Sequence, residues 1–238
     1  MTCTCYVEWI IVRALEPMKP ISILLADDHA IVRKGIQFLA QSEPDLEMVG
    51  AAKDGREAVE MCERLRPDVV ILDHSMPNLN GLEAAAQISR LAFVPSMIML
   101  SMHTDETYIM RAISAGVVGY VSKESAEDEI VDAIRTVVTG KPYLSPSIAH
   151  RLLLAGGPPA EGLGAPPGEL RDPYDSLTGR ERETLQLIAE GKTNKEIANA
   201  LNLSPYTVEK HRSGLMQKLD LHSVAEVVIY AVRRRLVG

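Results

Sequence analysis

Ile21-Ser22-Ile23-Leu24-Leu25-Ala26-Asp27-Asp28 is an apolar run of strand length that stops on two carboxylates, and the chain repeats the device downstream. Val69-Val70-Ile71-Leu72 ends in Asp73, Met97-Ile98-Met99-Leu100 in Ser101, and Gly119-Tyr120-Val121-Ser122 in Lys123. A further strand-like run covers 46–51. Between and after these runs, segments 31–41, 56–66, 82–91, 106–114 and 126–138 carry apolar residues at i, i+3, i+4 spacing, the periodicity of a helix with one buried face. Such alternation predicts an α/β domain with a five-stranded, parallel, doubly wound sheet. Ligands of such sheets bind outside the carboxyl ends of the strands, where all five polar residues fall.

Taken singly, each has an ordinary reading, since acidic residues often cap helices and a lone lysine is usually solvated. Gathered in one crevice they do not. Carboxylates 4 Å apart repel by about 4 kcal/mol per pair at an effective dielectric of about 20, so a cation must sit among Asp27, Asp28 and Asp73. One lysine is not enough for three carboxylates. A hard divalent ion suits oxygen donors, and Mg²⁺ typically takes a couple of carboxylates and completes its shell with water and phosphate oxygens. The pocket therefore points to phosphoryl chemistry.

The chain has 238 residues, enough for two domains. Between Gly156 and Gly168, Gly and Pro fill nine of thirteen positions, a stretch with nothing to bury. The expected division is an N-terminal extension at 1–17, a first domain at 18–142, a linker with a short helix after Ser145-Pro146 at 143–173, and a second domain at 174–238. Met18 precedes the first strand closely, so it is expected to be the initiator, with 1–17 an upstream extension. The formal charge of −7 divides into +3 for 176–238 and −10 for the rest, which admits a nucleic-acid partner for the tail alone. No run approaches the length of a membrane span and no signal peptide is evident, so a cytoplasmic protein without a membrane partner is expected. Cys3, Cys5 and Cys62 form neither a disulfide framework nor a zinc site.

The motifs Leu25-Ala-Asp-Asp-His29, Leu72-Asp-His-Ser-Met-Pro-Asn-Leu-Asn-Gly81, Leu100-Ser101 and Gly119-Tyr-Val-Ser-Lys123 resemble the receiver domain of two-component response regulators, which has a flavodoxin-like fold. The resemblance implies that Asp73 is the phosphoacceptor. It also implies that Asp27, Asp28, Asp73 and the backbone carbonyl of Ser75 hold Mg²⁺, and that Ser101 and Lys123 bind the phosphoryl oxygens. Tyr120 is implied as a switch aromatic that turns inward after phosphoryl transfer. His74 departs from the bulky apolar residue common after the phosphoacceptor, and Glu124 from the proline common after the lysine. A phosphatase of the haloacid-dehalogenase type would need a second Asp where Ser75 stands, so no enzyme is expected.

In the second domain, Thr178-Gly-Arg-Glu181, Thr193-Asn-Lys-Glu196 and Ser223-Val-Ala-Glu226 fit the reciprocal capping box, and Ser204-Pro205 is a cap followed by proline. Four helices follow, giving a small all-α domain. Helix pattern alone would equally suit a generic bundle. The residues Leu177-Thr-Gly-Arg-Glu181, Gly191-Lys-Thr-Asn-Lys-Glu-Ile-Ala198 and Thr207-Val-Glu-Lys-His211 resemble the LuxR-type helix-turn-helix, so the whole chain resembles NarL/FixJ-type response regulators. On a helical wheel Val208, Leu215 and Leu219 point inward. Tyr206, Lys210, Ser213 and Gln217, with Glu209 at the edge, form the candidate base-reading face, while Lys195, Arg212 and Lys218 are candidates for phosphates. The implied partners are a sensor histidine kinase, double-stranded DNA and a second copy of the chain. The rival reading is a receiver that acts as a phosphate sink or protein switch.

Overall fold

The computed structural model describes residues 19–102, 105–154, 173–234 and 236–237. The expected extension at 1–17 and the Gly/Pro-rich stretch lie outside the described residues. The first domain runs β1 (Ile21–Ala26), α1 (Ala30–Gln41), β2 (Leu46–Ala52), α2 (Gly55–Leu65), β3 (Val69–Asp73), α3 (Gly81–Ile88), β4 (Ser96–Ser101), α4 (Glu106–Ser114), β5 (Gly119–Ser122) and α5 (Ala126–Val138). Every pair in the sheet is parallel, in the order β2-β1-β3-β4-β5-β6. The sixth strand, β6 (Tyr143–Leu144), corrects the expected five. It hydrogen-bonds to the edge of β5, and α6 (Pro146–Leu154) follows it. Ser145 is buried there, its Oγ accepting from the Ser122 amide at 3.1 Å, and Ile148 enters the core.

The central strands are buried on both faces, which is why they read as continuous apolar runs. Leu24, Val70, Leu72, Met97 and Met99 pack with Ala58, Ala84, Ile88 and Ile109 on one side. Ile23, Leu25, Ile71, Ile98 and Leu100 pack with Ile36, Ile130 and Ile134 on the other. α3 ends at Ile88, short of the expected 91, because its last turn tightens into i→i−3 bonds at Arg90 and Leu91. Asp54 caps α2 by accepting from the Arg56 and Glu57 amides. Two glycines allow close backbone approach: a Cβ on Gly55 would lie 2.2 Å from the Leu79 carbonyl oxygen, and one on Gly81 2.0 Å from that of Asp73.

The second domain begins with a 3-10 turn (Pro173–Ser176) and continues through α7 (Gly179–Ala189), α8 (Asn194–Leu201), α9 (Pro205–Leu219) and α10 (Val224–Arg233). Its core gathers Tyr174, Leu185, Ile188, Ile197, Leu201, Val208, Leu215, Val227 and Ala231. Both expected capping boxes at Thr178 and Thr193 are formed. The third differs: Ser223 caps α10, but the Glu226 carboxylate accepts from the His222 amide, one residue earlier than the reciprocal pattern requires.

Candidate functional site

The sheet order turns at β1, whose two neighbours are β2 and β3, and this opens a crevice between the carboxyl ends of β1 and β3. Asp27 follows β1 directly and Asp73 is the last residue of β3; both are buried, while Asp28 stands at the rim. One ligand atom each from Asp27, Asp28, His29 and Asp73 lies within 4.8 Å of the others. Lys123, just past β5, places Nζ 2.8 Å from both Asp27 Oδ2 and Asp73 Oδ2. His29 completes the rim with Nδ1 2.7 Å from Asp28 Oδ1, and its backbone N–H donates to Asp27 Oδ1 at 2.7 Å. Sequence reasoning missed His29, although its place directly after the acidic pair was a usable signal.

Burial pushes the Asp73 carboxyl up to about 6; Lys123 opposes this and the Asp27 charge reinforces it. Lys123 is thus shared by Asp27 and Asp73, and one lysine leaves the three carboxylates with surplus negative charge. Three carboxylates in a cluster with surplus negative charge fit a hard divalent cation such as Mg²⁺, with the His29 imidazole at the rim. Ser75 lies in the loop after β3, its N–H 3.4 Å from Asp73 Oδ1. Ser101 closes β4 and is fully buried. Tyr120 hydrogen-bonds with Ser101, and burial pushes its phenol up to about 12. Tyr120 is inside, 1% exposed. His74 is buried with its ring edge-on to Tyr108, centroids 5.2 Å apart.

In the second domain, α8 ends on Asn202 in the left-handed region (φ 53°), which turns the chain into α9. Ser204 caps α9 ahead of Pro205. Val208, Leu215 and Leu219 are buried as expected, whereas Tyr206, Glu209, Lys210, Ser213 and Gln217 are exposed. Lys210 Nζ lies over the Tyr206 ring, 5.1 Å from its centroid. Lys195 is exposed on α8, and Arg212 is partly exposed with Nη1 donating to Asn194 Oδ1 at 3.3 Å. Lys218 differs from these two: its ammonium pairs with Glu181 at 2.7 Å and donates to the Ser176 carbonyl at 3.3 Å, tying it to the domain itself.

Sequence reasoning did not foresee the contact between the domains, which α7 makes with the first domain beside the acidic crevice. Gln186 Oε1 accepts from the backbone and side-chain amides of Asn80 at 3.0 and 2.9 Å, and its Nε2 donates to the Met76 carbonyl at 2.9 Å. Glu190 accepts from the Asn78 amide at 2.9 Å. Glu183 pairs with Arg56 at 3.1 Å and accepts from Gln87, while Arg182 pairs with Glu83 at 3.2 Å. Burial pushes the Glu83 carboxyl up, and Arg182 pulls it back. Tyr108 donates to the Arg234 carbonyl just past α10 at 3.1 Å. No helix among the described residues is long and apolar enough to cross a membrane.

Two family models match: "Response regulator receiver domain" over residues 23–135 and "Bacterial regulatory proteins, luxR family" over 175–231. The transcriptional regulatory protein LiaR of Bacillus subtilis is 39% identical over 218 residues, spanning 92% of this chain and all of the relative. Among solved structures, the RcsB response regulator of Salmonella typhimurium superposes with TM-score 0.55 at 25% identity, covering 91% of this chain and 100% of that one. A structure of two RcsB dimers bound to two parallel DNAs gives TM-score 0.53 at 25% identity, covering 90% and 98%.

Proposed function

Because this chain belongs to the two-component response regulators that join a receiver to a LuxR-type DNA-binding domain, we propose that it is a transcription regulator controlled by phosphoryl transfer from a histidine kinase to Asp73. The observation that supports this reading most is the convergence of Asp27, Asp28, Asp73 and Lys123 in one crevice. An oxygen of Asp73 forms the new bond to phosphorus as the bond to the donor histidine nitrogen breaks. Lys123 and the Ser101 hydroxyl take the equatorial oxygens, so charge that builds on the transferring group meets fixed partners. Asp27, Asp28, Asp73 and the Ser75 carbonyl would hold Mg²⁺, which would supply the remaining positive charge there.

The output is DNA binding in the cytoplasm through α9 in the major groove, with Tyr206, Glu209, Lys210, Ser213 and Gln217 facing bases and Lys195 and Arg212 facing phosphates. Lys218 joins them only by leaving Glu181. A second copy pairs through the exposed Val224, Ile229 and Val232 of α10, in keeping with the DNA-bound dimers of RcsB. Intact mass after incubation with Mg²⁺ and acetyl phosphate tests the first half: one base-labile phosphoryl group on the wild type and none on Asp73→Asn is expected. Undiminished labelling of Asp73→Asn refutes the assignment.

A further inference from the structure

A carboxylate on a DNA-binding face is costly, because phosphates repel it unless it meets a hydrogen-bond donor. Glu209 is such a carboxylate, exposed on α9 beside Lys210. It does not swing freely. Asn194, the first residue of α8, donates from Nδ2 to Glu209 Oε2 at 2.6 Å, and Asn194 Oδ1 accepts from Arg212 at 3.3 Å. The chemistry fixes the amide's orientation independently: Arg212 can only donate and Glu209 can only accept, so Asn194 must turn its oxygen to the first and its nitrogen to the second. One carboxylate oxygen is thereby anchored across the two helices of the helix-turn-helix. The other, Oε1, makes no hydrogen bond among the described residues.

We propose that Asn194 is a positioning residue that holds Glu209 as a cytosine reader, so that each half-site of the DNA target carries one cytosine specified by Glu209 Oε1. This rests on the placement of α9 in the major groove. A fixed acceptor on that face can be satisfied only by the cytosine N4 or adenine N6 amino groups, since guanine and thymine present N7, O6 and O4 acceptors. Adenine also presents N7 beside its amino group, a lone pair that faces the carboxylate, whereas cytosine has no acceptor on that edge. Cytosine is therefore the preferred base. Lys210, the next residue, has the opposite polarity and donates to guanine, so the two side chains read complementary chemistry on neighbouring positions.

The test selects bound duplexes from a random pool with the full-length, acetyl-phosphate-treated protein, followed by titration of the winning site and its single-base variants at several salt concentrations. Wild type is expected to enrich cytosine at one position per half-site, with discrimination there of about tenfold, the low end for a base contact. Glu209→Gln, which donates as well as accepts, should move that position toward adenine. Asn194→Ala and the isosteric Asn194→Asp, which cannot donate to the carboxylate, should flatten the cytosine preference to about twofold while preferences at other positions stay as in wild type, and in Asn194→Ala, which adds no charge, the salt slope stays as well. A motif unchanged in Glu209→Gln overturns the cytosine assignment. An equal loss at all positions in both Asn194 variants overturns the positioning role, because that is what a merely structural or phosphate-binding residue gives. A wild-type motif without a specified cytosine sinks this inference and leaves the groove assignment standing; no enriched motif at all sinks both.

Discussion

Replacing Asp73 with Asn in metal-free protein should stabilise the receiver, and the gain should grow with pH. The folded-state pKa of about 6 stands above the ordinary 3.8, so the native state holds more protons than the unfolded chain between these values. Stability of the wild type therefore falls as pH rises through that window and levels off above it. Two pKa units correspond to about 3 kcal/mol, fully expressed near pH 7.5, whereas near pH 4.5 only about 1 kcal/mol has been lost. Asparagine keeps the shape and an acceptor for Lys123 but carries no charge, and Lys123 retains its pairing with Asp27. The assay is urea unfolding of the full chain with a chelator present, following the receiver transition by circular dichroism at the two pH values. The Asp73→Asn variant should exceed wild type by about 1 kcal/mol at the lower pH and about 3 at the higher. Millimolar Mg²⁺ should reverse the order, since it replaces the missing positive charge only where the carboxylate is present. A variant that is less stable at both pH values, or a gain that does not grow with pH, would show that the pocket is not short of positive charge.

Gly81→Ala should cost about 1 to 3 kcal/mol by overpacking and slow acetyl-phosphate labelling, because its new methyl group would meet the Asp73 carbonyl at 2.0 Å. Thr193→Ala removes the side-chain acceptor for the Glu196 amide at the start of α8 and should cost about 1 kcal/mol in denaturant unfolding of the second domain. Gln186→Ala should leave both domains folded but speed hydrogen exchange at the Asn80 amide, which Gln186 now protects; unchanged exchange would show that the contact is not kept in solution.

The crevice was legible because its chemistry is written at strand ends. A run such as Val69–Asp73, apolar until its last residue, fixes both the strand and the place where the carboxylate emerges. β6 left no such mark, since two residues are too few to show alternation. The end of α3 was overrun because Leu91 keeps the apolar spacing and packs against the core after the helix has tightened. The domain contact was invisible for a different reason. Glu183, Gln186 and Glu190 lie opposite the apolar stripe of α7 and read as a solvated face, yet Glu183 and Gln186 are buried against the first domain. Only the partner surface could have revealed that, and Asn80 is 106 residues away from Gln186 along the chain. Pairings across helices, such as Asn194 with Glu209, are equally hidden until the turn at Asn202 sets the two helices together.

The contact between α7 and the loop after β3 is made of amides, carboxylates and guanidinium groups rather than hydrocarbon. Parting it would release Glu83, Glu183, Arg56, Arg182 and Gln186 to water, which solvates all of them well. A joint of this kind can come undone and re-form. Its tightness should also depend on the ionic medium, loosening in concentrated salt, where an apolar seam would hold more firmly.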